Sequence, residues 1–175
     1  MPMYCDDQPA GLSGATGQIA RRDWLRAAVS LVAAPLMAGR VAASSASSDA
    51  VPMEVWLDPS CGCCKDWIAH MVANGFAPTV HETGNHAVRE RLGMPVRYGS
   101  CHTALVGGYV LEGHVPAQDV RRLLQSRIQA LGLAVPGMVV GSPGMDGAVY
   151  EGRSDPYEVL LVLKGGESRV YRAYR

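Results

Sequence analysis

Met53-Glu54-Val55-Trp56-Leu57-Asp58-Pro59-Ser60-Cys61-Gly62-Cys63-Cys64 joins a strand to a helix and carries three thiols across the junction. Met53 to Asp58 holds the β-branched and aromatic content of a first strand. Pro59-Ser60 turns the chain, and Ser60 is a suitable N-cap, so the pattern predicts a helix beginning at Cys61. Trp67, Ile68, Met71 and Val72 fall at helical spacing, with Cys64 on the same stripe. Gly75 stands where a left-handed residue would end that helix.

Working outward, Phe76 to His81 reads as a second strand, placed at a sheet edge by Pro78. A short helix follows from about Asn85 to Leu92, stopped by Gly93 and Pro95. Thr103-Ala104-Leu105-Val106 and Tyr109-Val110-Leu111 flank Gly107-Gly108, a two-residue hairpin turn. Pro116 opens a further helix whose apolar face is Val120, Leu123, Leu124 and Ile128. The order β-α-β-α-β-β-α is a thioredoxin-like α/β arrangement, with the cysteine cluster at its first strand-to-helix junction. Gly132 to Gly147 is a long irregular loop rich in Gly and Pro that carries Met138 and Met145. A loop of that length in a compact domain usually has a role. Tyr157 to Leu163 and Ser168 to Tyr174, joined through Gly165-Gly166, read as a C-terminal β-hairpin.

Residues 1–50 read as an address. Arg21-Arg22 precedes Trp24-Leu25 and an apolar run from Ala27 to Met37, too short to span a bilayer but suited to an export signal. The paired arginines resemble a twin-arginine signal, with a general secretory signal or an uncleaved anchor as alternatives. Residues 51–175 would then form the mature domain, outside the cytoplasm and free of the membrane once the signal is removed. Cys5 belongs to the leader. Formal net charge is zero, with no basic stripe, which excludes a nucleic-acid surface.

Three thiols within four residues must converge on one small volume, which points to a soft metal or to redox exchange. At a helix start, unpaired backbone N–H groups and the helix dipole favour thiolate at Cys61. Cys61 and Cys64 form a C-x-x-C pair within disulfide reach, the arrangement of a thiol–disulfide oxidoreductase. Cys63 is surplus to such a pair and argues for metal. Cys101, in Ser100-Cys101-His102-Thr103, lies where a thioredoxin-like layout brings a loop against the first helix, and no proline stands there. Cys61, Cys63, Cys64 and Cys101 are therefore candidate ligands of Cu(I), of zinc in a structural domain, or of an iron–sulfur cluster. Crowded thiols suit several bridged Cu(I) ions better than zinc knuckles. His102, His114, Met138 and Met145 are further candidate ligands. His114 could equally satisfy the helix at Pro116, and the methionines could be ordinary packing. His70, His81 and His86 read as surface residues. No Ser/His/Asp or paired-carboxylate arrangement stands out.

Asp58-Pro59-Ser60-Cys61-Gly62-Cys63-Cys64-Lys65, Ser100-Cys101-His102-Thr103-Ala104, Gly113-His114-Val115-Pro116, Ala134-Val135-Pro136-Gly137-Met138 and Gly141-Ser142-Pro143-Gly144-Met145 resemble, in this order, the CopG-like family. This family was long catalogued as a domain of unknown function and is associated with bacterial copper resistance. The resemblance covers about Val51 to Tyr174. It implies a thioredoxin-like periplasmic protein whose thiols, at Cys61, Cys63, Cys64 and Cys101, hold a copper–thiolate cluster. It also implies interconversion of Cu(I) and Cu(II), a copper oxidoreductase activity, and other periplasmic copper-handling proteins as partners. Where the family's second methionine block has proline after Met138, this chain has Val139.

Overall fold

A computed structural model describes residues 50–175. The leader, with Cys5 and the paired arginines, lies outside the described residues.

The described chain is mixed α/β, with a seven-stranded sheet and three α-helices. The elements are β1 (Val51–Leu57), α1 (Gly62–Ala73), β2 (Phe76–His81), α2 (His86–Arg91), β3 (His102–Val106), β4 (Tyr109–Glu112), α3 (Ala117–Ser126), β5 (Gly132–Ala134), β6 (Tyr157–Val162) and β7 (Ser168–Tyr174). The sheet order is β2-β1-β3-β4-β5-β6-β7. β1 runs parallel to β2 and antiparallel to β3, which pairs antiparallel with β4. β2 is an edge strand, where the missing N–H of Pro78 breaks no ladder. Gly107 and Gly108 both hold positive φ, 54° and 83°, as a primed two-residue turn requires.

Period-2 alternation splits the sheet into two apolar faces. Leu111, Leu133 and Leu161 join the main core with Val55, Leu57, Trp67 and Met71 of β1 and α1 and with Val120 and Leu123 of α3. Their neighbours Val110, Ala134 and Val162 face the other way and pack with Met94 and Tyr98 in a smaller cluster beyond α2.

Three expectations are corrected. The first helix starts at Gly62, with Cys61 in the N-cap position and no side-chain cap. Ser60 does not cap it: the carboxylate of Asp58 takes both the backbone N–H and the hydroxyl of Ser60, at 2.9 and 2.5 Å. Val72 is 55% exposed, because α1 buries only the narrow stripe of Cys64, Trp67 and Met71. The irregular stretch after Gly132 opens with β5, which the glycine content disguised; Gly132 lies so close to β4 that a Cβ would sit 1.7 Å from the Val110 carbonyl oxygen. The C-terminal hairpin forms as expected, with a register shift at Val159/Leu160.

Candidate metal centre

The turn Asp58–Cys61 follows β1 and leads into α1, with the Cys61 N–H bonded to the Asp58 carbonyl at 3.0 Å. Cys64 is carried inward by the helix and is fully buried, whereas Cys61 and Cys63 are half-buried. Cys101 arrives from the residue preceding β3, which pairs with β1 through Leu57 and His102. The four sulfurs of Cys61, Cys63, Cys64 and Cys101 lie within 4.8 Å of one another and form a group able to hold a metal ion. Cys101, His102 and His114 form a second such group that shares Cys101.

Cys61 and Cys64 are joined by a disulfide, with Cα atoms 5.4 Å apart, and Cys63 and Cys101 are free thiols. The Cys63 sulfur stands 3.6 Å from that of Cys61. The Cys101 sulfur lies 3.1 Å from His114 Nε2 and 3.5 Å from His102 Nδ1. The Cys101 thiol and the His114 imidazole pull the Cys63 pKa down to about 5. The Cys101 thiol is pushed up, first by its bond to Cys63 and then by burial.

His114 has one defined orientation. Its Nδ1 faces the Pro143 carbonyl oxygen at 2.8 Å. A carbonyl only accepts, so Nδ1 carries a hydrogen, and Nε2 is the ring nitrogen directed at Cys101. His102 is fully buried, 4.2 Å from Trp67 ring to ring, with Nε2 lacking a hydrogen-bond partner. Burial, followed by the neighbouring His114, pushes its pKa well below the usual imidazole value. The donor set is therefore soft sulfur with imidazole nitrogen, the chemistry that suits Cu(I), Cu(II) or zinc.

The loop from Gly137 to Gly147 closes over this group. Gly144, at φ +83°, packs so closely on α1 that a Cβ would lie 2.6 Å from the Trp67 nitrogen and 2.8 Å from the Cys63 carbonyl oxygen. Trp67 Nε1 donates to the Val115 carbonyl at 2.9 Å, which ties α1 to the segment carrying His114.

A family model described as "Protein of unknown function, DUF411" matches residues 98–145, the span that holds Cys101, His114 and most of the loop. No curated protein matches the chain. A solved copper resistance protein CopG, form 2, is 45% identical, with a TM-score of 0.67, covering 72% of this chain and 99% of that one. Form 1 is also 45% identical, with a TM-score of 0.66 and coverages of 71% and 98%. The chain belongs to the CopG-like family.

In this CopG-like chain the four cysteines and both histidines named from sequence converge. The two methionines part company. Met145 is buried and its sulfur accepts the Tyr150 hydroxyl at 3.2 Å, whereas Met138 is half-exposed and lines a shallow pocket of about 410 Å³ with His86 and Cys101. His114 does not serve the helix at Pro116. His70 Nε2 accepts the Ala117 N–H at 3.1 Å instead. His81 is half-buried against Glu54 at 2.5 Å and Trp56, and His86 is exposed. Sequence reading missed Pro143 and Gly144, although Ser142-Pro143-Gly144 marks a turn whose backbone could approach the helix closely.

Proposed function

We propose that this chain is an exported, periplasmic copper-binding protein of copper resistance that holds several Cu(I) ions in a shared thiolate site. One observation carries the reading: four cysteine sulfurs, three from the N-cap and first turn of α1 and one from the residue before β3, lie within 4.8 Å of one another. Such crowding favours sulfurs that bridge monovalent ions over isolated tetrahedral zinc sites. The solved copper resistance proteins at 45% identity support the same choice of metal. The strand and helix order is read as thioredoxin-like, and the paired arginines of the leader as a twin-arginine export signal. Met138, beside Cys101 in the shallow pocket, would give soft contact to copper passed to or from other periplasmic copper-handling proteins. Among the described residues no helix is long and apolar enough to cross a membrane.

The residues of the site divide the work. Cys63, with its lowered pKa, offers thiolate near neutrality. Cys101, 3.1 Å from His114 Nε2, would bring the fourth sulfur together with an imidazole nitrogen. Cys61 and Cys64 become ligands only after their disulfide takes up two electrons and two protons. Closing the dithiol to the disulfide would release two electrons and two protons and return two Cu(II) ions to Cu(I), one electron each. The test is anaerobic titration of the reduced chain with Cu(I) against a competing chelator. More than one ion per chain, lowered in Cys101→Ser, supports the reading. Unchanged uptake in that variant removes the shared four-sulfur site.

The Cys61–Cys64 disulfide specifically favours a second reading, a thiol–disulfide oxidoreductase. It predicts insulin reduction by metal-free protein, abolished in Cys61→Ser. Elemental analysis after growth in copper or in zinc separates both from a zinc-bearing structural domain.

A further inference from the structure

A buried ion pair lies beneath the segment that delivers Cys101. Arg89 of α2 and Glu112 at the end of β4 have side-chain exposures of 6% and 0%. Glu112 Oε1 accepts Arg89 Nε at 2.9 Å and the Ser100 backbone N–H at 2.7 Å, while Oε2 accepts the Thr103 hydroxyl at 2.6 Å. Arg89 Nη2 donates to the Ser100 carbonyl at 2.8 Å, and Asn85 Nδ2 reaches that carbonyl and the Thr103 hydroxyl oxygen, each at 3.2 Å. Both backbone polar atoms of Ser100 are therefore held, and its carbonyl belongs to the peptide bond that begins Cys101. Space around Ser100 is equally restricted, since a Cβ at Gly113 would lie 2.5 Å from the Ser100 hydroxyl. The residues on both sides of Cys101-His102 are thus anchored to one carboxylate.

Stability alone does not account for such a pair. Hydrophobic residues of similar volume are often as stabilising as a buried ion pair, or more so. They cannot supply directed bonds to a loop backbone. We propose that Arg89 and Glu112 are positioning residues for Cys101, fixing the Ser100–Cys101 peptide so that the Cys101 sulfur meets the three sulfurs of the α1 turn. The inference rests on the reading of those sulfurs as one site, and it assigns a role to residues that contribute no ligand.

The test uses the full chain, reduced and anaerobic, as wild type, as the double variant Arg89→Met/Glu112→Met and as the near-isosteric Thr103→Val. Three quantities are read: Cu(I) competition with bicinchoninate, the near-ultraviolet sulfur-to-copper band, and the iodoacetamide reactivity of Cys101 relative to Cys63 without metal. Thermal midpoints and far-ultraviolet dichroism report folding separately. The double variant is expected to stay folded yet bind Cu(I) about 10–100-fold more weakly, as loss of an orienting partner does elsewhere. Its band should shift and its Cys101/Cys63 alkylation ratio change by at least about threefold. Thr103→Val should move all three readouts in the same direction by less, and it carries the test if the double variant does not fold. Wild-type affinity, band and alkylation ratio in the folded variants would overturn the proposal. If the wild type takes up no Cu(I), the copper reading fails, and the alkylation ratio still decides whether the pair positions Cys101.

Discussion

Gly144→Ala puts one methyl group into the contact between the Gly137–Gly147 loop and α1. At φ +83° an L-residue is strained by about 1–2 kcal/mol. The added Cβ would also stand 2.6 Å from the Trp67 nitrogen, 2.8 Å from the Cys63 carbonyl oxygen and 3.0 Å from the Trp67 Cα. All three are backbone atoms, which cannot swing aside as a side chain would. Overpacking of this kind costs about 1–3 kcal/mol. If the loop lifts to relieve the clash, the Pro143–His114 hydrogen bond is lost, worth about 1 kcal/mol. By either route the net cost is about 2 kcal/mol or more, a fall in thermal midpoint of roughly 6–10 °C for a domain of this size. The control is Gly147→Ala, where a Cβ meets nothing within 4 Å and φ is −67°. That variant should match the wild type or gain slightly. Differential scanning calorimetry measures both, and ¹⁵N shifts of His114 report whether Nδ1 keeps its hydrogen. A Gly144→Ala protein with an unchanged midpoint and unchanged His114 shifts would refute the close approach of loop to helix.

Other expectations concern the same residues. The lowered Cys63 pKa predicts one equivalent of thiolate absorbance near 240 nm appearing at about pH 5 in metal-free protein, lost in Cys63→Ser; a first thiolate appearing only near the usual 9.0 would contradict it. The sign for stability follows: a depressed acid pKa contributes fully above about pH 9 and is lost as pH falls through about 5. Cys101, pushed up, works oppositely above pH 9, so denaturant midpoints of the metal-free protein should rise from pH 5 and turn over near 9. Trp67→Phe leaves the buried Val115 carbonyl without its donor and should cost about 1–3 kcal/mol in urea unfolding; a loss under about 0.5 kcal/mol would mean that the bond contributes little. His70→Ala removes the acceptor of the Ala117 N–H and should cost about 1 kcal/mol without altering Cu(I) uptake, and a change in copper stoichiometry would show that His70 does more than serve α3.

What the sequence disclosed follows from the range of the interactions involved. Gly107-Gly108 and Pro78 act through their own backbone angles or missing N–H, so the hairpin and the edge strand were legible locally. The helix start slipped by one residue because Asp58 competes for Ser60, a contest that composition does not resolve. Cys63 and Cys101 could be named because thiols are rare and their clustering needs a reason. The orientation of His114 could not be named, since it depends on a carbonyl 29 residues away, and a carbonyl has no sequence signature. Arg89 and Glu112 were equally silent. Each is unremarkable in its own segment, and only the sheet brings them within 2.9 Å.

The copper and exchange readings use the same atoms and differ in electron count. With Cys61 and Cys64 joined, Cys63 and Cys101 are the free sulfurs of the group, and Cys101 retains both imidazoles as neighbours. Reduction would return two sulfurs and convert a site with mixed sulfur and nitrogen donors into one rich in thiolate. Softer donors favour Cu(I) over Cu(II), so the oxidation state of the dithiol and that of the metal should be linked. The linkage gives a measurable consequence: Cu(I) uptake by the disulfide form should be smaller than by the reduced form, and Cys61→Ser/Cys64→Ser should remove that difference. Equal uptake by both forms of the wild type would separate the disulfide from the metal site and leave exchange as the role of Cys61 and Cys64.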